Sequence, residues 1–95
     1  TDEEYLSKVR ENFIPRVEEF KPIFIFHEFG HDICQNDYGD RGLSKEFFVK
    51  LAKLVNEVAK DVCEGRYVVI THGGARADVA EYIFPRIARV LANVM

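Results

Sequence analysis

The sequence predicts an α/β chain: part of a three-layer α/β/α arrangement with parallel strands, of which it supplies a βαβ fragment in the order α-β-α-β-α. Three observations carry that reading. Two short apolar runs without polar alternation, Ile-Phe-Ile-Phe at 23–26 and Tyr-Val-Val-Ile at 67–70, have the pattern of strands buried on both faces, and hence of parallel pairing. Between them Phe47, Phe48, Leu51, Leu54, Val55, Val58 and Val62 recur at helical spacing. A strand, a crossover helix and a second strand make a right-handed unit with its loops beyond the carboxyl ends of the strands, where ligands bind in open α/β sheets.

Each element has its own signals. Thr1 with Glu4 three residues on is a capping box, and Tyr5, Val9, Phe13, Val17 and Phe20 then mark one face of a first helix. Pro15 interrupts that helix, so a kink or a fresh turn is expected there. The first strand is expected at about 22–27, after Pro22, and the polar stretch 27–42, with Gly30, Gly39 and Gly42, reads as one long loop. Ser44 is placed to cap the crossover helix and Gly65 to end it. The second strand is expected at about 66–71, followed by a tight turn, Thr71-His72-Gly73-Gly74-Ala75. Asp78 and Glu81 open a last helix carrying Val79, Tyr82, Ile83, Ile87, Val90, Leu91 and Val94, with Pro85 inside it.

Composition narrows the function classes. Ninety-five residues make one small domain or a piece of a larger one. A hydrophobic share of 47% beside 31% charged excludes disorder, collagen-like sequence and a membrane protein. Neither apolar run approaches the ~20 residues that span a bilayer, and no signal peptide is visible. The net charge of −3, with Lys and Arg interspersed among Glu and Asp, argues against nucleic acid as a partner. Cys34 and Cys63, without CxxC spacing, read as two buried thiols in a reducing cytoplasm rather than a disulfide, and they exclude a cysteine-built zinc site. Thr1 in place of a methionine points to a processed or truncated start.

Two parallel strands are too few for a stable sheet. The remainder of its own domain, or a homo-oligomer, is therefore the expected partner.

Chemistry is concentrated at the two strand ends. The first loop holds His27, Glu28, His31, Asp32, Asp37 and Asp40, and the second holds His72 with Gly73 and Gly74. Residues 27–31, His-Glu-Phe-Gly-His, also fit the HExxH signature of zinc peptidases. That chemistry needs a helix, because i, i+4 spacing must bring both imidazoles to one face. Here the motif follows a strand-like run and contains Gly30, and the extended pattern finds Cys34 and Asp37 where it wants glycine and a ligand. The peptidase reading is set aside as a decoy.

A second pattern covers nearly the whole chain. Glu4-Tyr5 through Pro15 and Glu19-Phe20-Lys21-Pro22 lead into the first strand. Gly30-His31-Asp32, Asp37, Gly39, Leu43-Ser44 and the helix from Lys45 follow it. Then come Gly65-Arg66, Val68-Val69-Ile70, Gly73-Gly74-Ala75 and a closing helix through Ile87 and Leu91. In order and spacing this resembles the C-terminal portion of the histone deacetylase family, in the manner of acetoin-utilisation proteins and acetylpolyamine amidohydrolases. The resemblance implies the arginase/deacetylase fold, one catalytic Zn²⁺ held by two Asp and one His, and hydrolysis of acetyl-amide bonds in an acetylated small molecule or lysine. It implies that Asp32 is one zinc ligand, with a loop-capping role as the alternative, and that Gly73, Gly74 and His72 shape the substrate pocket. Asp37 is read as a turn former.

The other ligands and the catalytic histidines of the family match nothing in this chain, so the chain is expected to be inactive alone. One departure bears on the chemistry: the tyrosine that follows the family's glycine pair is Ala75 here. Tyr67, within a strand, and Tyr82, within a helix, are not evident substitutes; His72 and Arg76 are the nearby groups with a donor to offer. The alternatives are a diverged, non-catalytic deacetylase-like module and, last, the small zinc peptidase.

Overall fold

A computed structural model gives the structure of residues 1–93; Val94, placed by the sequence on the last helical stripe, lies outside the described residues. Thr1 caps helix α1 (Asp2–Lys8) through the full reciprocal capping box with Glu4. The helix then widens into a π-helical turn, Val9–Phe13, before α2 (Ile14–Phe20). The Ile14 N–H reaches back to the Val9 carbonyl, five residues earlier, and Pro15 sits in the first turn of α2, where its missing N–H costs nothing. The π turn is thus how the chain accommodates Pro15. Lys21, in the left-handed region at φ 55°, ends α2.

Strand β1 is Ile25–Phe29 and β2 is Tyr67–Thr71; they pair parallel, Ile25 opposite Tyr67 and Phe29 opposite Thr71. Helix α3 (Lys45–Cys63) connects them and α4 (Ala77–Leu91) follows, so the predicted α/β class, parallel pairing and crossover are present. The first strand is displaced from its expected position. His27, Glu28 and Phe29 belong to it, because the ladder runs on until Gly30, and the loop begins three residues later than the composition suggested.

The core lies between the helices and one face of this sheet. Phe29, Phe47, Phe48, Val79 and Ile83 are fully buried there, with Phe48 edge-on to both Phe29 (5.8 Å) and Phe47 (5.2 Å). Leu6, outside the stripe predicted for the first helix, is the buried residue of α1, while Phe20 at the end of α2 is exposed. Asn56, buried on α3, donates to the Val90 carbonyl (3.2 Å) and so fastens α3 to α4. Ser44 caps α3 through the Phe47 N–H, and both Ser44 donors reach the Asp2 carboxylate, tying the first helix to the crossover.

The opposite face of the sheet is open. Phe24, Phe26, Val68 and Ile70 are exposed on or beside it, so the expected burial on both faces is not met by these residues alone. That is the side a second helical layer would cover. Both cysteines are buried and free. Among the described residues no helix is long and apolar enough to cross a membrane. Phe48→Ala removes the ring that joins strand, helix and core, and is expected to destabilise the fold by about 3–5 kcal/mol, measured by urea unfolding.

Candidate functional site

Parallel pairing sets the loops after β1 and β2 side by side at the same end of the sheet. Four connections lock them together. The His31 N–H donates to the Gly73 carbonyl (2.9 Å), and Arg76 Nη1 donates to the Gln35 carbonyl (2.6 Å). The Gly74 N–H donates to the Tyr38 hydroxyl (3.1 Å). The fourth is Asp37, buried, whose carboxylate accepts from the N–H groups of Ala75 (2.9 Å) and Arg76 (3.0 Å), and also from its neighbour Tyr38 (2.7 Å).

Asp37 does more than form a turn. Arg76 is the N-cap position of α4 but has no side-chain cap of its own, and Asp37 satisfies the backbone donors at that helix start from the other loop. Burial acts to raise its pKa, but the N–H donors of Tyr38, Arg76 and Ala75, with His31 nearby, outweigh it and hold the carboxyl below the usual range.

Asp32 follows the last strand residue by three and is half-buried. Its carboxylate is ringed by glycines: a Cβ on Gly30 would lie 2.9 Å from Oδ1, one on Gly39 2.7 Å from Oδ2, and one on Gly73 3.5 Å from Oδ1. Its main-chain carbonyl accepts from the Gly39 N–H (2.9 Å). Among the described residues the carboxylate enters no ion pair. It is a charged group kept bare by backbone without side chains, which fits a single metal-ligand position. The remaining positions are not here: among the described residues no group of three His, Cys, Asp or Glu side chains converges to hold an ion.

The predicted pocket residues divide. Gly73 borders Asp32, as above, and a Cβ there would also collide with the Tyr38 hydroxyl. Gly74 covers the His31 ring at φ 132°, and any side chain would overlap that ring. His72 stands at the end of the ladder: its imidazole lies 4.0 Å from the exposed Glu28 carboxylate, and its N–H reaches the Phe29 carbonyl (2.7 Å).

The HExxH residues do not form a metal site. His27 and Glu28 are consecutive in a strand and point to opposite faces, and His31 lies four residues on, ~13 Å along an extended chain. The His27 ring pairs with the Tyr67 hydroxyl (2.7 Å), and burial lowers its pKa. It lines a cavity of ≈ 250 Å³ with Tyr5, Val9, Phe13 and Leu51 between α1, the π turn and α3.

Two features of the site had no clear sequence signal. His31 is buried with neither ring nitrogen hydrogen-bonded among the described residues, packed edge-on to Phe84 (5.9 Å). Tyr38 had only its place beside Asp37 to recommend it.

A family model of the histone deacetylase domain matches residues 1–91. The chain belongs to the histone deacetylase domain family. That membership places it among deacetylase-like domains, a family that generally depends on zinc. No curated protein matches the chain.

Two outcomes test this geometry. Gly74→Ala places a side chain against the His31 ring at a left-handed backbone position, and should cost about 2–3 kcal/mol in thermal or chemical unfolding. The folded pKa of Asp37 is depressed, so its contribution to stability is complete above the unfolded value near pH ~4 and is lost as pH falls through the folded one. Asp37→Asn should therefore lower the melting temperature at pH 7 and flatten its decline below pH ~4, followed by circular dichroism.

Proposed function

We propose that this chain is the C-terminal segment of a histone deacetylase-like zinc amidohydrolase, hydrolysing acetyl-amide bonds in the complete protein and inactive alone. The observation that carries the proposal is the Asp32 carboxylate, unpaired and cradled by Gly30, Gly39 and Gly73 where the two strand-end loops meet. A loop-capping aspartate spends its carboxylate oxygens on backbone N–H groups. Asp37 does that in this loop, and Asp32 does not.

Asp32 would be one ligand, with the remaining ligands and the acid and base groups supplied by polypeptide outside these residues. Zinc bound there would polarise the substrate carbonyl and acidify a water molecule. The chain's own part is to hold Asp32 rigid through the Gly39 N–H and to keep the floor beside it free of side chains. The substrate proposed is an acetylated lysine or small acetylated amine. The open sheet face with Phe24, Phe26, Val68 and Ile70 is proposed to pack against the remainder of the same domain, or against a second copy, in the cytoplasm.

Metal content of the complete protein tests the assignment. Asp32→Ala should abolish zinc retention, whereas His27→Ala, which alters a residue paired with Tyr67 inside the fold, should leave it intact. Zinc lost from His27→Ala but kept by Asp32→Ala would overturn the proposal.

A further inference from the structure

The glycine loop beside Asp32 needs a hydrogen-bond donor if a carbonyl oxygen is to gain charge there, and almost every donor around it is already committed. The Ala75 N–H is held by Asp37 and the Gly74 N–H by the Tyr38 hydroxyl oxygen. Arg76 spends Nε and Nη2 on Asp78 and Nη1 on the Gln35 carbonyl. The His31 ring is buried beneath Gly74, and His72 lies beside Glu28. Ala75 itself has no polar side chain.

Tyr38 is different. It is 70% exposed, and its hydroxyl accepts from Gly74 but donates to no acceptor among the described residues. A hydroxyl carries one proton to give and two lone pairs to receive, so the Gly74 bond leaves that proton available and polarises it. The oxygen lies 2.3 Å from where a Cβ of Gly73 would be, and Asp32 Oδ1 is 3.5 Å from that same point. Donor and candidate metal ligand therefore flank one glycine.

We infer that the Tyr38 hydroxyl is the donor to the substrate carbonyl oxygen, filling from the first loop the role for which the second loop carries only Ala75. The inference rests on the amidohydrolase reading above and names a catalytic residue for it. In the reaction, R–NH–CO–CH₃ and water give R–NH₃⁺ and CH₃CO₂⁻. As the water oxygen bonds to the carbonyl carbon, the π pair moves onto the carbonyl oxygen and the Tyr38 hydrogen bond strengthens. The pair returns as the C–N bond breaks, and both water protons end on the amine. Tyr38 keeps its proton throughout.

The test compares the complete protein with its Tyr38→Phe variant on Nε-acetyl-lysine and acetylpolyamine substrates. Loss of one such donor should reduce kcat about 100-fold, with KM changed less than about twofold. An independent readout uses zinc-free protein and acetyl-lysine labelled with ¹³C at the acetyl carbonyl. The bound carbonyl stretch should lie at lower wavenumber in the wild type than in Tyr38→Phe. Wild-type kcat in Tyr38→Phe, or a bound band that is absent or the same in both proteins, overturns the assignment while an active wild type leaves the amidohydrolase reading standing. A wild-type protein that hydrolyses neither substrate overturns both.

Discussion

The site depends on one buried carboxylate. Parallel pairing brings the two strand-end loops to the same edge, but the ladder itself stops at His72, and beyond it the main chains meet only at the His31 N–H and the Gly73 carbonyl among the described residues. Asp37 joins the loops there, accepting from Ala75 and Arg76 of one loop and from Tyr38 of the other. Three donors hold it ionised despite burial, and the same bonds supply the start of α4 with the cap its own sequence lacks. Loop registry, the start of α4 and the position of Tyr38 over the glycines all draw on this one side chain, with the His31–Gly73, Arg76–Gln35 and Gly74–Tyr38 bonds beside it.

What that clamp organises is a sheet packed on one face only among the described residues. The helices bury one face of the sheet around Phe29 and Phe48, and leave the other with Phe26, Val68 and Ile70 toward solvent. The incomplete sheet and the incomplete ligand set have a common origin in this reading. A deacetylase-like domain whose other strands lie outside these residues would also have its other ligands outside them, at the ends of those strands. On the proposed reading Asp32 has no internal partner because its partner would be an ion, the rest of whose shell would come from polypeptide outside these residues.

Much of this was legible in the residues. The capped amphipathic stripe of α3, the parallel pair and the glycine turn follow from local pattern, because each rests on periodicity or on a residue with a restricted backbone. The end of β1 was not. Continuous apolar residues at 23–26 outweighed His27 and Glu28, although a strand at the edge of an open face tolerates polar residues there. Asp32 was found through its Gly-x-Asp setting, whereas the work of Asp37 was not. Its partners are 38 and 39 residues away, and no periodicity encodes a contact at that range. His72 continues the strand alternation one step beyond β2, which sets its imidazole 4.0 Å from the Glu28 carboxylate, a neighbour its place in the glycine turn does not announce.

On the proposed reading, Tyr38 beside Gly73 would let the pocket take its donor from the first loop without changing its floor. A tyrosine directly after the glycine pair would approach the carbonyl from the second loop and put no demand on residue 38. A tyrosine at 38 reaches in from the first loop, and its hydroxyl lies 2.3 Å from the point a Cβ on residue 73 would take, so a side chain there would displace the ring. The Gly74 amide then has a fixed acceptor in that hydroxyl, and Asp37, adjacent in sequence, pins both the Tyr38 and Ala75 amides. Ala75 contributes only its backbone, whose N–H holds the Asp37 clamp, and on the proposed reading the donor comes from the facing loop.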